Sequence, residues 1–114
     1  MQDCIFCDII SGKIPSTKVY EDDCVFAFRD IAPAAATHIL VVPKNHLKDV
    51  SVICADNSEI VSKTYEAIAR IAKSENLVSG YRVVSNVGED AGQTVQHLHF
   101  HILGGEPLGR MTGI

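Results

Sequence analysis

Apolar positions recur along the chain with two different periods, which predicts that it contains both helix and strands. One long segment has the period of a helix, because its apolar residues stand three and four positions apart. These residues are Ile60, Val61, Tyr65, Ile68, Ile71 and Ala72. Asp56 and Glu59 have the spacing of a capping box, so the predicted helix has Asp56 as its N-cap and runs to about Ser74.

The other apolar runs are short and rich in β-branched and aromatic residues, which is typical of strands. Strands are predicted over residues 18–20, 24–28, 38–42, 81–85 and 95–103, with loops over 31–37 and 87–94. A short helical turn over residues 5–10 is predicted to stop at Ser11 and Gly12. Several strands with one long helix, and no regular alternation of the two, predict an α+β domain with a mainly antiparallel sheet.

Composition limits the classes of function. The chain has 114 residues, of which 46% are hydrophobic, and this suits a single domain over residues 1–114. Its net charge of −4 gives no broad basic surface, so sequence-independent binding to nucleic acid is not expected. The N-terminus has no signal-peptide pattern, and no apolar run approaches the roughly 20 residues that span a bilayer. We therefore expect a soluble, cytoplasmic protein that is not bound to a membrane, in which the cysteines are reduced thiols or metal ligands. Cys24 and Cys54 are predicted to be core residues.

Three histidines at alternating positions carry the strongest chemical signal. On the last predicted strand, His97, His99 and His101 would share one face, while the apolar residues beside them would face the core. A solvated strand face is one alternative, and a zinc ion bound by all three histidines is another. The zinc alternative is disfavoured, because a rise of ~3.3 Å per residue puts His97 and His101 ~13 Å apart, whereas Zn–N bonds are ~2.1 Å. We therefore expect the histidines to have separate roles in nucleophilic and acid–base chemistry near neutral pH.

The loop that leads into this strand contains Gly88 and Gly92. Glycines let backbone N–H groups approach an anion closely, so the loop is a candidate for binding phosphate oxygens. A neutral imidazole can attack phosphorus when an acceptor holds its other ring nitrogen. The loop and the histidines together favour phosphoryl chemistry.

The segment from Gly92 to Gly105 contains His-x-His-x-His followed by Gly-Gly, and it resembles the signature of the histidine triad family. The resemblance is to the branch of small nucleoside phosphoramidases, and it extends over nearly the whole chain. The other matching segments are Ile5-Phe6 with Ile9, Ile14-Pro15, Phe28-Arg29-Asp30-Ile31, Thr37-His38 and Val42-Pro43-Lys44. The family fold that this implies is a five-stranded, mainly antiparallel sheet with one long helix, paired as a homodimer through sheet edges and the helix.

The resemblance implies hydrolysis of purine nucleoside 5′-phosphoramidates to a nucleoside monophosphate and an amine, without a catalytic metal. His99 would be the nucleophile and form a nucleotidyl-histidine, and His101 would donate to the phosphate and the leaving amine. His38 would lie behind these histidines as an orienting or relay group. Thr94 is the fourth implied catalytic residue, and its hydroxyl would bind the phosphate or leaving group. The implied nucleotide-binding set comprises His99, His101, Asp30 for the ribose, Asn86, Gly92, Thr94 and Val95 near the phosphate, and Ile5, Phe6, Ile9, Phe28 and Ile31 around the purine.

Two departures from the family pattern leave the specificity for the leaving group undecided. Thr94 stands where this branch usually has serine, and the tail over residues 106–114 lacks the aromatic end of some relatives. The enzymatic alternative is the dinucleoside polyphosphate hydrolase branch, which usually continues Pro-Arg where this chain has Gly104 and Gly105. Nucleotidyltransferases of the family typically replace the last histidine, here His101, with glutamine. A nucleotide-binding regulatory module with incidental hydrolysis is the alternative from another class.

Cys4 and Cys7 form a Cys-x-x-Cys pair with three alternatives: a redox dithiol, two core thiols, or half of a zinc site. The sequence around them has no thioredoxin-like pattern. Some bacterial members of the family carry the same pair, with a histidine after the Pro-Lys step that corresponds to His46. By this resemblance, Cys4, Cys7, His46 and His97 would bind a structural zinc ion, with no open coordination position for catalysis.

Overall fold

The computed structural model describes residues 4–111. Its helices and strands follow in the order α1 (Ile5–Ser11), β1 (Lys18–Glu21), β2 (Val25–Arg29), β3 (Thr37–Pro43), α2 (Ser58–Ser74), β4 (Tyr81–Val84) and β5 (Phe100–Gly104). Two short 3-10 turns, Val50–Val52 and Glu89–Ala91, lie in the connections. Within the described residues, neither helix combines the length and the apolar character that crossing a bilayer requires.

The five strands form one sheet in the order β1-β2-β3-β5-β4, and every neighbouring pair is antiparallel. This confirms the predicted α+β class and the antiparallel sheet. The register places Leu40 of β3 between Phe28 of β2 and His101 of β5. Because these three residues lie in one row across the sheet, their side chains share a face, and the candidate chemistry is concentrated there.

Helix α2 covers the opposite face of the sheet. Its buried residues are Thr64, Ala67, Ile68, Ile71 and Ala72, and they belong mainly to a core that includes Ile39, Val41, Phe100 and Ile102. The predicted end at Ser74 is confirmed, but the predicted capping box is wrong, because the N-cap is Asn57. The Asn57 side chain accepts the Cys54 N–H and donates to the Val52 carbonyl, so it closes the turn that precedes the helix.

Helix α1 packs against the face that carries His101. Cys4 is its N-cap, with Sγ accepting the Cys7 N–H at 3.3 Å, and the helix ends at Gly12, whose φ of 87° is left-handed. The predicted stop at this glycine is confirmed. A second apolar cluster forms between the helix and the sheet from Cys4, Phe6, Ile9, Phe26, Phe28, Leu40 and Val42.

The last strand is shorter than predicted, since β5 begins at Phe100 and not at residue 95. Residues 95–97 form a bend. The N–H of the next residue, Leu98, donates to the Leu47 carbonyl at 2.6 Å and not to a neighbouring strand of the sheet. His97 and His99 therefore precede the strand, and only His101 lies within it. Their side chains still lie on the side of Phe6, whereas Leu98 and Phe100 belong to the core under α2.

The two other cysteines differ from each other. Cys24 is partly buried and packs against the core, as predicted. Cys54 is exposed in the turn before α2, so its prediction as a core residue was wrong. All four cysteines of the chain are free thiols.

Candidate functional site

Cys4, Cys7, His46 and His97 bring one potential ligand atom each to within 4.8 Å of one another. His97 Nδ1 lies 3.1 Å from His46 Nδ1 and 3.3 Å from Cys4 Sγ, and Cys7 Sγ lies 3.4 Å from His46 Nδ1. In a tetrahedral zinc site, bonds of ~2.05 Å to nitrogen and ~2.3 Å to sulfur separate two nitrogens by ~3.4 Å and a nitrogen from a sulfur by ~3.6 Å. The four atoms are therefore close enough to bind a single metal ion.

The protonation of His97 also suits a metal ligand. Its ring is fully buried, and Nε2 lies 2.9 Å from the Pro43 carbonyl, which can only accept a hydrogen bond. The proton of the neutral ring is thus on Nε2, and the lone pair of Nδ1 faces the other three residues. Burial lowers the pKa of His97, which favours this neutral form. A backbone carbonyl that fixes the tautomer in this way is the usual partner of a metal-binding histidine.

The cysteines need a compensating charge if they are to act as thiolates. Burial, together with the hydrogen bond and charge of Cys4, raises the pKa of the Cys7 thiol to about 11. Two thiolates this close to each other repel, and a divalent cation bound between them would offset this repulsion. The donor set fits a closed site of two sulfurs and two nitrogens.

His99 lies on the same side of the sheet with its ring buried beside Phe6, at 5.0 Å between ring centroids. Its Nδ1 lies 2.6 Å from the carbonyl of His97, so Nδ1 carries the proton and donates. The lone pair of His99 is consequently on Nε2. Burial lowers the pKa of His99, and the ring is therefore neutral and able to act as a nucleophile at neutral pH.

His101 follows at 5.2 Å between ring centroids, and its protonation is set by His38. The Ala34 N–H donates to His38 Nδ1 at 3.0 Å, so the proton of a neutral His38 is on Nε2. That Nε2 lies 2.8 Å from His101 Nδ1, which accepts. His101 is therefore left with its own proton on Nε2. The two neighbouring rings thus differ: His99 offers a lone pair on Nε2, and His101 offers an N–H on Nε2.

The pKa of His101 differs most from that of an ordinary histidine. Burial, together with the charges of His99 and His38, lowers it from 6.5 to about 4. The ring is thus neutral in the free protein. A bound anion would stabilise its protonated form and raise this pKa again.

Asp30, directly after β2, brings a carboxylate close to His38 and His101. Its Oδ1 accepts the Ala32 N–H at 2.8 Å, and its Oδ2 lies 3.5 Å from His38 Nε2. Ligand atoms of Asp30, His38 and His101 also lie within 4.8 Å of one another. The hydrogen bonds argue against a metal ion here, since the Nε2 that His38 presents to this group is protonated and has no lone pair to donate.

Comparison with known proteins places these residues in a family. Residues 11–108 match the model of the HIT domain. The chain is 42% identical to the purine nucleoside phosphoramidase of Escherichia coli (strain K12) over 111 residues, which cover 96% of this chain and 93% of that protein. The chain belongs to the HIT family. A HIT family hydrolase from Clostridium thermocellum has a similar structure, with a TM-score of 0.94, 42% identity and 98% coverage of both chains. A histidine triad protein from Clostridium difficile has a TM-score of 0.92 and 49% identity, over 97% of this chain and 99% of that one.

The apolar residues expected around a base in this HIT protein do not all lie together. Phe6, Ile9 and Phe28 are buried in the second cluster, and the rings of Phe6 and Phe28 meet edge to face at 5.6 Å. Ile5 is about half exposed, at 49%, and Ile31 is fully exposed. The structure thus joins three of the five in one apolar wall and leaves Ile5 and Ile31 open to solvent, where a ligand could cover them.

The loop expected to bind phosphate leads into the bend that contains His97, and it is held by a residue that the sequence pattern does not single out. Gln93 is buried; it accepts the Gly88 N–H at 2.9 Å and donates to the carbonyls of Lys48 and Val95. These bonds fix the loop across its width, and they leave Thr94 exposed at its end. Asn86, at the start of the loop, is partly buried, and Gly92 is exposed with a left-handed φ of 77°. A glutamine in a loop gives no local sign of burial, so only its position between glycine and threonine could have drawn attention to it.

Proposed function

We propose that this protein hydrolyses purine nucleoside 5′-phosphoramidates to a nucleoside monophosphate and an amine. One observation carries the proposal: His99 and His101 are neighbouring rings, and their hydrogen bonds leave a lone pair on Nε2 of His99 and a proton on Nε2 of His101. A nucleophile next to a proton donor is what displacement of an amine from phosphorus requires. The 42% identity to a purine nucleoside phosphoramidase supports the same reaction.

In the first step, His99 Nε2 attacks phosphorus, a P–Nε2 bond forms and the P–N bond to the amine breaks. The electron pair of the broken bond stays on the amine nitrogen, which needs one proton. The negative charge of the substrate favours uptake of this proton from solvent, and His101 Nε2 delivers it to the amine. His99 keeps its Nδ1–H on the His97 carbonyl, which stabilises the positive charge of the nucleotidyl-histidine.

In the second step, water attacks phosphorus from the side that the amine has left. His101 Nε2 accepts a proton from the water, and the P–Nε2 bond breaks, with its electron pair returning to His99. The products are a nucleoside monophosphate and the original neutral His99, and the proton on His101 returns to solvent. Displacement in two steps at phosphorus depends mainly on positioning and charge, so the reaction needs no metal at phosphorus.

The nucleoside would bind on the Asp30 side of the histidines. Oδ1 of Asp30 is held by the Ala32 N–H, and the side chain is about one-fifth exposed, so it can accept hydrogen bonds from both ribose hydroxyls. Phe6, Ile9 and Phe28 supply the apolar wall, and Ile5 and Ile31 would close over the purine. Asn86, Gly92, Thr94 and Val95 would surround the phosphate and leaving group.

We further propose zinc as the metal for Cys4, Cys7, His46 and His97. Two thiolates and two imidazoles are the donors that zinc prefers, and four protein ligands leave no position for a substrate. When bound, the ion would supply a cross-link and no reaction chemistry. It would tie the start of α1 to His46 after β3 and to the bend before β5, which keeps Phe6 against the rings of His97 and His99.

Two further features complete the proposal. β4 is an edge strand of the sheet, and Tyr65 and Tyr81 are large exposed residues on α2 and β4, so two copies could pair through this edge and the helix to form a homodimer. The free thiols of all four cysteines suit a reducing compartment, and we assign the activity to the cytoplasm.

Turnover measurements with two substrates test the proposed reaction. We expect adenosine 5′-phosphoramidate to be hydrolysed with a kcat/KM at least about 100-fold higher than that of a diadenosine polyphosphate, since the site protonates an amine. Phosphorus NMR of the product identifies AMP directly. Preference for the dinucleotide would favour the alternative branch, and tight AMP binding without turnover of either substrate would favour a regulatory module.

A further inference from the structure

The chain after β5 returns to the loop between β2 and β3. Gly104 pairs with Thr37, and Gly105 then turns the chain with a left-handed φ of 83°. The approach is close, because a Cβ at Gly105 would lie 3.0 Å from Thr37 Oγ1. The next residue, Glu106, accepts the Ala36 N–H at 2.6 Å through Oε2. A side chain from the C-terminal segment thus holds a loop that is remote in sequence.

This loop determines the protonation of the histidines. The Ala34 N–H fixes His38 Nδ1 as an acceptor, and His38 Nε2 in turn donates to His101 Nδ1. Residues 31–36 are one isoleucine, one proline and four alanines, so none of their side chains can form a hydrogen bond. The conformation of the loop must therefore be set through its backbone. Asp30 holds its beginning through Ala32, and Glu106 holds its end through Ala36.

We propose that Glu106 is a positioning residue for the proposed reaction, which orients His38 and His101 by fixing the end of the 31–36 loop. Its carboxylate acts as a hydrogen-bond acceptor for one backbone amide and does not touch the substrate. Glu106 and Ala36 are both exposed, so the bond between them adds little to the stability of the fold. Its consequence is the placement of the Ala34 N–H two residues earlier, on a histidine that is buried.

Asp30 and Glu106 act on different parts of the loop, which predicts a specific kinetic signature. Asp30 is also fixed by its own backbone N–H, which donates to the His38 carbonyl at 3.0 Å. Loss of the Glu106 contact should therefore disturb His38 and His101 more than the ribose carboxylate. Since the inference rests on the proposed function only for its kinetic part, the test also needs a readout that requires no substrate.

The experiment compares Glu106→Ala, Glu106→Gln and the control Glu66→Ala. Glu66 is exposed on α2, so its loss makes the same change in net charge on the other side of the sheet. Glu106→Ala should lower kcat about fivefold with KM within about twofold. Glu106→Gln should retain most of kcat, because an amide oxygen can accept the same hydrogen bond. Glu66→Ala should match the wild type.

The substrate-free readout is NMR of the unliganded protein. In Glu106→Ala, we expect faster hydrogen exchange of the Ala34 amide and altered ¹⁵N shifts of the His38 ring, both restored in Glu106→Gln. Wild-type exchange and shifts in Glu106→Ala would overturn the inference, as would equal losses of kcat in the Ala and Gln variants. If the wild type fails to hydrolyse phosphoramidates but the NMR changes occur, the proposed reaction is wrong and the positioning role stands.

Discussion

Two groups of potential metal ligands lie side by side in this molecule, and they differ in where their protons are. In the first group, Cys4, Cys7, His46 and His97, the Pro43 carbonyl holds the proton of His97 on the nitrogen that points away from the group. In the second, Asp30, His38 and His101, the Ala34 N–H forces the proton of His38 onto the nitrogen that points into the group. The first group can therefore surround a cation. In the second group, His38 instead donates a hydrogen bond to His101.

The difference shows that proximity of histidines and acidic or sulfur groups does not define a metal site. In each group, the potential ligand atoms lie within 4.8 Å of one another. What separates them is one backbone contact to each key histidine: a carbonyl on His97 and an amide on His38. A carbonyl accepts a hydrogen bond and an N–H donates one, so the two backbone contacts select different arrangements of the proton. In His97 the nitrogen that faces its group has a lone pair, and in His38 the nitrogen that faces its group has the proton. A search for metal sites in similar folds should read these contacts before counting ligands.

The largest expected effect is at His99, which lies in sequence between His97 of the first group and His101 of the second. His99→Asn should lower turnover of adenosine 5′-phosphoramidate at least ~10³-fold, about 4 kcal/mol of transition-state stabilisation, because the amide cannot form the nucleotidyl intermediate. AMP binding, measured by calorimetry, should change little, since the ribose and base contacts lie elsewhere. Turnover within tenfold of the wild type would mean that the nucleophile is another residue.

The next effect separates structure from chemistry in the first group. Cys4→Ser combined with Cys7→Ser should lower the free energy of unfolding by about 3 kcal/mol, because metal binding and folding are coupled. Elemental analysis of protein purified without chelator should give about one zinc per wild-type chain and almost none in the double variant. Single-turnover rates in the molecules that remain folded should fall much less than in His99→Asn.

Cys54→Ser is the matched control for this substitution, because Cys54 is exposed and outside the group. It should keep both the metal and the stability of the wild type. A double variant that stays as stable as the wild type but loses turnover would assign the metal to the reaction, and the separation of the two groups would be wrong.

The sequence predicts the frame that carries both groups but not the contacts that distinguish them. Strand positions and the helix ending at Ser74 follow from the spacing of apolar residues, which is a local property. The start of β5 could not be predicted in this way, since the bend at residues 95–97 depends on a hydrogen bond from Leu98 to Leu47, some fifty residues earlier. Alternation nevertheless placed His97 and His99 on the correct side.

The candidate site shows the same limit. The resemblance to a family identifies the residues of both groups, but the protonation of His97 and His38 depends on the backbone of Pro43 and Ala34, which carry no recognisable signal. Gln93 and Glu106 act through backbone groups of distant segments, the Lys48 carbonyl and the Ala36 N–H, so their roles depend on the folded structure. Polar side chains that hold loops are thus the part of such a site that sequence patterns describe least.

A pH titration sharpens the comparison through His101, whose pKa is lowered to about 4 in the folded protein against 6.5 for an unperturbed histidine. Between these two values the unfolded chain binds more protons at this residue, so the folded state is favoured less as the pH falls. Replacing the ring removes this penalty. Relative to His101→Gln, the wild type should lose about 2 to 3 kcal/mol of unfolding free energy between pH 7 and pH 4.

Urea unfolding of both proteins at several pH values measures this difference. A difference that does not change with pH would mean that His101 titrates normally. The ring would then not be held neutral by burial and by its neighbours, and the proposed chain of hydrogen bonds would lack its last member.

The smallest effect concerns Asp30, the carboxylate of the second group. If its free oxygen accepts the ribose hydroxyls, Asp30→Ala should weaken AMP binding about tenfold, or ~1.4 kcal/mol, and weaken binding of the 2′,3′-dideoxy analogue less than about threefold. If Asp30 were instead a metal ligand or only a support for His38, both nucleotides should lose affinity equally. The comparison of ligands is needed because Asp30 also anchors the Ala32 N–H, so the substitution perturbs the loop for both. Calorimetric titration of the two nucleotides into the wild type and the variant measures how much binding free energy each nucleotide loses. The difference between these two losses is the coupling energy between Asp30 and the ribose hydroxyls. A coupling energy of zero would mean that the ribose does not bind at Asp30. The second group would then only support His101.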